Sequence, residues 1–105
     1  MSSGSPLKVV DFSTHMSGPL AAHLLVEMGA DVIKVEHPVQ GDGNRGNDPK
    51  FRGISDLHVA LNSGTRSFAI STRSDHWKPV VGALMEWTDA VIVGSRPLDA
   101  VRRGL

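Results

Sequence analysis

The sequence predicts an α/β fold: a Rossmann-like open, mostly parallel sheet with flanking helices. Three observations predict it. Four short runs rich in β-branched residues recur along the 105 residues. Segments with helical spacing, or rich in turn residues, separate them. The second run is apolar almost throughout, as suits a strand covered on both faces of a parallel sheet.

Residues 7–12, LKVVDF, make the first strand. Residues 13–18 form the turn after it. Pro19 suits the first helical position, where its missing N–H costs nothing. Leu20, Leu24, Leu25 and Met28 then share one helical face, with His23 and Glu27 off it. Gly29 is a natural C′ residue. Residues 31–36, DVIKVE, are the second strand. Residues 38–56 are dense in Gly, Asn, Asp and Pro without periodicity, and read as a long loop. Residues 57–64, LHVALNSG, form a short helix, and residues 66–71, RSFAIS, the third strand. Ser74 or Asp75 can cap a third helix running to about Trp87. Pro79 must lie in or before its first turn, which sets its start near Lys78. Trp77 and Trp87 flank this helix and read as packing residues. Residues 89–93, DAVIV, are the fourth strand, and residues 98–103 begin a further helix that the chain end cuts off. Residues 1–6 read as a disordered tail or an expression scar. Residues 7–105 read as the N-terminal part of a larger domain.

Composition narrows the function classes. A chain of 105 residues makes one small domain. Lys plus Arg equals Asp plus Glu at 11 each, so neither a nucleic-acid nor a membrane-surface partner is expected. The chain has no cysteine, which excludes disulfides and thiolate chemistry and suits the cytoplasm. No apolar run approaches the roughly 20 residues of a membrane span. The five histidines lack metal-ligand spacing, so no metal is expected. No nucleophile–base set or carboxylate pair can be assembled, and no catalytic residue is assigned.

In an open α/β sheet, ligands sit beyond the carboxyl ends of the strands. Residues 13–18, Glu36-His37, Ser71-Thr72-Arg73 and Gly94-Ser95-Arg96 all fall there. A nucleotide could touch all four loops; exposed loops are also polar for ordinary reasons, and spacing does not separate the two readings. Glu36 holds the place of a ribose-binding carboxylate, but the Gly-x-Gly-x-x-Gly fingerprint is absent. His37 can stack on a base or bond a phosphate, or be a plain surface histidine. Arg45, Arg66, Arg73, Arg96, Arg102 and Arg103 lie in loops or near element ends. Guanidinium forks suit phosphate, and solvated surface charge is the other reading.

Four blocks in order resemble the N-terminal segment of the family III CoA-transferases. Val10-Asp11-Phe12-Ser13, then Ser17-Gly18-Pro19, then residues 28–36, MGADVIKVE, resemble the family's first block. Residues 41–46, GDGNRG, resemble its Gly-Asp-x-x-Arg-Gly loop. Residues 61–71 and 89–105 resemble its third and fourth blocks. The resemblance implies a Rossmann-like domain of an acyl-CoA enzyme that works as a homodimer of interlocked chains. It implies coenzyme A, carried as an acyl-CoA thioester, as substrate. By position, CoA would be met by His15, Met16 and Ser17 after the first strand and by His37 after the second. Ile70, Ser71, Thr72 and Arg73 would follow the third strand. Gly94, Ser95 and Arg96 would follow the fourth, with Arg102 beyond. The nucleophilic aspartate of the family lies past the matched segment, so the rest of the parent chain is an expected partner. The family's Glu-Asn-Phe is Val93-Gly94-Ser95 here. The expectation is therefore the CoA-binding part of an acyl-CoA transferase. A racemase-type member and a non-catalytic CoA-binding or interaction module are the alternatives.

Overall fold

The computed structural model describes residues 5–14, 16–38, 50–51 and 54–105. The centre is a four-stranded sheet. Strand β1 is Lys8–Asp11, β2 is Asp31–Glu36, β5 is Arg66–Ala69 and β6 is Ala90–Ile92. Their order across the sheet is β5-β2-β1-β6, and every pair is parallel. The middle pair is the most buried: Val9 and Val10 have no exposure and Val32 has 1%. This is why the two central strands read as apolar runs while β5 is exposed along its length.

Helix α1, Ser17–Glu27, connects β1 to β2; α2 is Asp56–Asn62; α3, Trp77–Trp87, connects β5 to β6; α4 is Pro97–Arg102. The chain first moves outward from β1 to β2 to β5, then returns across the sheet to β6. Right-handed crossovers in opposite directions place their helices on opposite faces. The core is split accordingly. Val9 and Val32 pack with Ala22, Leu25 and Val26 of α1 on one face. Val10 and Val35 pack with Trp77, Val81, Leu84 and Met85 of α3 on the other.

Helix starts differ from expectation by two residues or fewer, for one reason. Pro19 and Pro79 are each the third residue of their helix. The first four N–H groups of a helix have no intrahelical acceptor, so a proline there removes no bond. The first helical bonds run from Leu20 N to Met16 O and from Val80 N to His76 O. The cap of α3 is His76, without a side-chain bond; Ser74 contributes instead by accepting the His76 N–H on its Oγ at 3.1 Å. Helix α1 ends as its sequence suggests. Gly29 has φ 96°, its N–H reaches Val26 O, and the Ala30 N–H reaches Leu25 O, which is a Schellman end.

The face assigned to α1 is corrected. Leu20, Leu24 and Met28 are 44%, 56% and 82% exposed, and the buried residues are Pro19 and Ala22. The long loop expected over 38–56 is also corrected in part. Lys50–Phe51 (β3) and Ile54–Ser55 (β4) pair antiparallel as a small separate sheet; residues 39–49 and 52–53, with Arg45 among them, lie outside the described residues. Helix α4 closes within the chain: Gly104 has φ 80°, and Leu105 turns back onto the α3 face of the core. Among the described residues, no helix is long and apolar enough to cross a membrane.

Candidate functional site

All four βα loops lie at the carboxyl edge of the sheet, and β1 separates the two directions of winding. The loop after β1 is built on Ser13, which is 1% exposed. Its N–H reaches Asp11 Oδ1 at 2.8 Å, and its hydroxyl donates to the same oxygen. Lys34 Nζ, from the facing position on β2, donates to the Ser13 carbonyl at 3.1 Å. Asp11 Oδ2 stands 3.6 Å from that ammonium. A buried charge is tolerated when it is paired and hydrogen-bonded; here Asp11 Oδ1 and the Lys34 ammonium are hydrogen-bonded, while Asp11 Oδ2 is buried with the ion pair alone.

Two neighbouring cavities open at this edge. The first, about 220 Å³, is lined by Phe12, Thr14, Val35, Glu36, His37, Ile70, Thr72, Trp77 and Arg103. Its lining combines apolar Phe12, Val35, Ile70 and Trp77 with polar Thr14, Glu36, His37, Thr72 and Arg103. Glu36 is held there by Ser67, whose hydroxyl donates to Oε2 at 2.7 Å. The second, about 490 Å³, is lined by Thr72, Ser74, Asp75, Trp77, Lys78, Arg102 and Arg103. Three cationic side chains face one carboxylate in it, an arrangement suited to an anion. Thr72, Trp77 and Arg103 belong to both cavities. Trp77 is the wall between them: it is 7% exposed, meets Phe12 edge to face with ring centroids 6.1 Å apart, and donates from Nε1 to the Arg103 carbonyl at 2.9 Å. That last bond ties the end of α4 to the start of α3.

The structure brings some of the sequence-named residues together and leaves others apart. His37, Ile70 and Thr72 share the first cavity, and Thr72 and Arg102 share the second. Ser71 shapes the turn between them, its Oγ accepting the Arg73 N–H at 3.1 Å. Met16 caps the start of α1, and Ser17 opens it; both are exposed and line neither cavity. Arg73 is exposed outside both cavities. Gly94 lies beside Ser13, where an added Cβ would stand 3.3 Å from the Ser13 Cβ, so a larger residue would press on the turn. Ser95 Oγ is buried with no hydrogen-bond partner. Arg96 pairs with Asp99, Nε to Oδ2 3.5 Å. His15 lies outside the described residues.

One arginine is removed from the group gathered by sequence. Arg66 begins β5, at the amino edge of the sheet. It forms a two-pronged bond to Asp31 at 2.8 and 2.9 Å and lies over the Trp87 ring at 5.8 Å. Among the residues lining these cavities, Trp77 and Lys78 were not singled out from sequence for this role. Lys78 follows Trp77 at the start of α3, and its spacing carried no signal of the convergence with Arg102 and Arg103. Among the described residues, no group of three or more His, Cys, Asp or Glu could hold a metal ion.

The chain was compared with known proteins. Residues 5–105 match the family model of CoA-transferase family III. The formyl-CoA:oxalate CoA-transferase of Rhodopseudomonas palustris (strain TIE-1) is 36% identical over 92 residues, covering 87% of this chain and 22% of that protein. The enzyme of the same name from Escherichia coli O6:H1 is 35% identical over 95 residues, with the same coverage. Among solved structures, a CAIB/BAIF family protein from Brucella suis superposes with a TM-score of 0.85 at 33% identity, over 94% of this chain and 27% of that one. A hypothetical protein from Mycobacterium tuberculosis superposes with a TM-score of 0.84 at 31% identity, over 94% and 27%. The chain thus spans about a fifth of the length of the curated relatives it matches.

Proposed function

The chain belongs to CoA-transferase family III, and we propose that it is the N-terminal, CoA-binding part of an acyl-CoA transferase. In this reading CoA passes between carboxylic acids through an enzyme-aspartyl intermediate whose aspartate lies outside this segment. The observation that carries it is the pair of adjoining cavities at the carboxyl edge of the sheet, one lined by Phe12, Val35, Ile70 and Trp77 together with Glu36, His37 and Arg103, the other by three cationic side chains. CoA has that division: an adenine ring beside phosphates. His37, Ile70 and Thr72 would hold the adenine end, with Phe12 and Trp77 beneath. Lys78, Arg102 and Arg103 would take phosphate oxygens through charge-assisted bonds. As the family resemblance implies, His15, Met16, Ser17, Arg73, Gly94, Ser95 and Arg96 would meet the rest of the molecule. The parent protein would work as a homodimer in the cytoplasm, with the remainder of its chain supplying the chemistry.

Calorimetric titration with CoA tests the reading. Binding is expected, weakened about three- to tenfold by Arg102→Ala, because a partly screened charge–phosphate contact contributes modestly. Arg66→Ala, at the opposite edge of the sheet, should leave the affinity within twofold. A folded chain that gives no heat at millimolar CoA would overturn the reading, and equal losses for the two variants would overturn the placement of the phosphates.

A further inference from the structure

We propose that Lys34 is a positioning residue for the β1–α1 turn: its buried ammonium holds the Ser13 carbonyl and so fixes the surface that the ligand meets. The inference rests on the CoA-binding reading for its ligand, but its mechanical part stands on geometry alone. Lys34 is the largest fully buried side chain among the described residues, at 1% exposure. It occupies a strand position whose register partner is Asp11, flanked by Ile33 and Val35. A hydrophobic residue of similar volume would fill such a site without the desolvation of two charges. Packing alone therefore does not call for lysine.

What lysine adds is reach. Its Nζ bonds the carbonyl of a loop residue 21 positions earlier in the chain. Asp11 holds the other two groups of that residue, its N–H and its hydroxyl. Ser13 is then fixed at N–H, hydroxyl and carbonyl by one ion pair. Its neighbours transmit that placement. The first turn of α1 rests on it, since a Cβ at Gly18 would stand 1.9 Å from Ser13 Oγ. The loop after β6 touches it at Gly94. Thr14, next in the chain, lines the first cavity with Glu36 and His37. A shift of Ser13 therefore displaces the cavity wall and the start of α1 together. Rigid support of this kind is what sets ligand geometry at a loop-built site.

The test uses two readouts. In the unaltered protein, the Ser13 amide should exchange with solvent as slowly as the β1 amides, although it lies outside the strand ladder. Exchange at the rate of an open loop would overturn the proposal without any variant. The double variant Asp11→Asn/Lys34→Met keeps an acceptor for the Ser13 N–H and hydroxyl, removes both charges and deletes the carbonyl tether. Exchange at residues 13–18 should rise at least tenfold while β1 and β2 stay protected, and CoA should bind at least tenfold more weakly. Gly29→Ala, at the far end of α1, is the control. It should lower the melting temperature while leaving Ser13 exchange and CoA affinity unchanged, which separates positioning from stability. If the double variant exchanges as the parent does, or binds CoA within twofold of a parent that binds it, the proposal fails. A parent that does not bind CoA defeats the CoA reading instead, and the exchange results then judge the tether by themselves.

Discussion

Gly18 has no room for a side chain. An added Cβ would lie 1.9 Å from Ser13 Oγ and 2.1 Å from Ser13 Cβ. Ser13 cannot swing aside, because Asp11 holds its N–H and hydroxyl and Lys34 its carbonyl. The glycine is therefore needed for close approach of helix to sheet, and not for a phosphate fingerprint. Gly18→Ala must lift the first turn of α1 off the sheet, and a loss of about 1–3 kcal/mol is expected, as for other overpacked sites. Urea unfolding measures it. Ser13→Gly in the same chain removes the atoms that clash. The double variant should recover part of the loss, giving a coupling well outside the few tenths of a kcal/mol of independent sites. Additive losses would show that the two residues do not meet as described.

At the scale of elements, α1 separates what the sequence makes legible from what it does not. Its length, its Schellman end at Gly29 and its place between two strands follow from local signals that depend on near neighbours alone. Its buried face does not, because apolar residues surround it. Leu20, Leu24, Leu25 and Met28 form one stripe, while Pro19, Ala22 and Val26 form another. The contact of Gly18 with Ser13 draws the helix close to the sheet, and at that distance small residues fit beneath. Leu20, Leu24 and Met28 turn outward, while Leu25 stays partly buried against the core. The strands were legible for the opposite reason: β1 and β2 are covered on both faces, and their valine and isoleucine runs mark them even though Asp11, Lys34 and Glu36 are buried among them. The site was legible as four strand ends, which topology alone supplies. The convergence of Lys78 with Arg102 and Arg103 was not, because it depends on the bond between Trp77 and the Arg103 carbonyl. The face assignment can be checked by paired substitutions. Ala22→Leu, at a site with no exposure, should destabilise by about 1–3 kcal/mol. Leu20→Ala, at 44% exposure, should lose less than about 1 kcal/mol. The reverse order would restore the leucine face to the core.

At the scale of the whole molecule, the outward stripe of α1 bears on association. Met16, Leu20, Leu24 and Met28 recur every fourth residue and are between 44% and 82% exposed. Residues at this spacing lie side by side on one face of a helix, so the exposed groups adjoin one another. Val59 of α2, the helix in contact with α1, is a further 53% exposed. Scattered apolar residues on a surface need no explanation, but a continuous apolar face marks a contact with another surface. In the relatives and structural neighbours, the matched region is about a quarter or less of the chain, so further polypeptide is there to meet such a face. The 105-residue chain by itself should therefore bring copies together. Light scattering should give an apparent mass above 11.2 kDa that rises with concentration. Leu20→Glu/Leu24→Glu places two carboxylates in the middle of the stripe, where burial would desolvate them, and should shift the sample toward monomer with its helix content retained. A concentration-independent monomer for the unaltered chain would show that this face is stable in water without a partner.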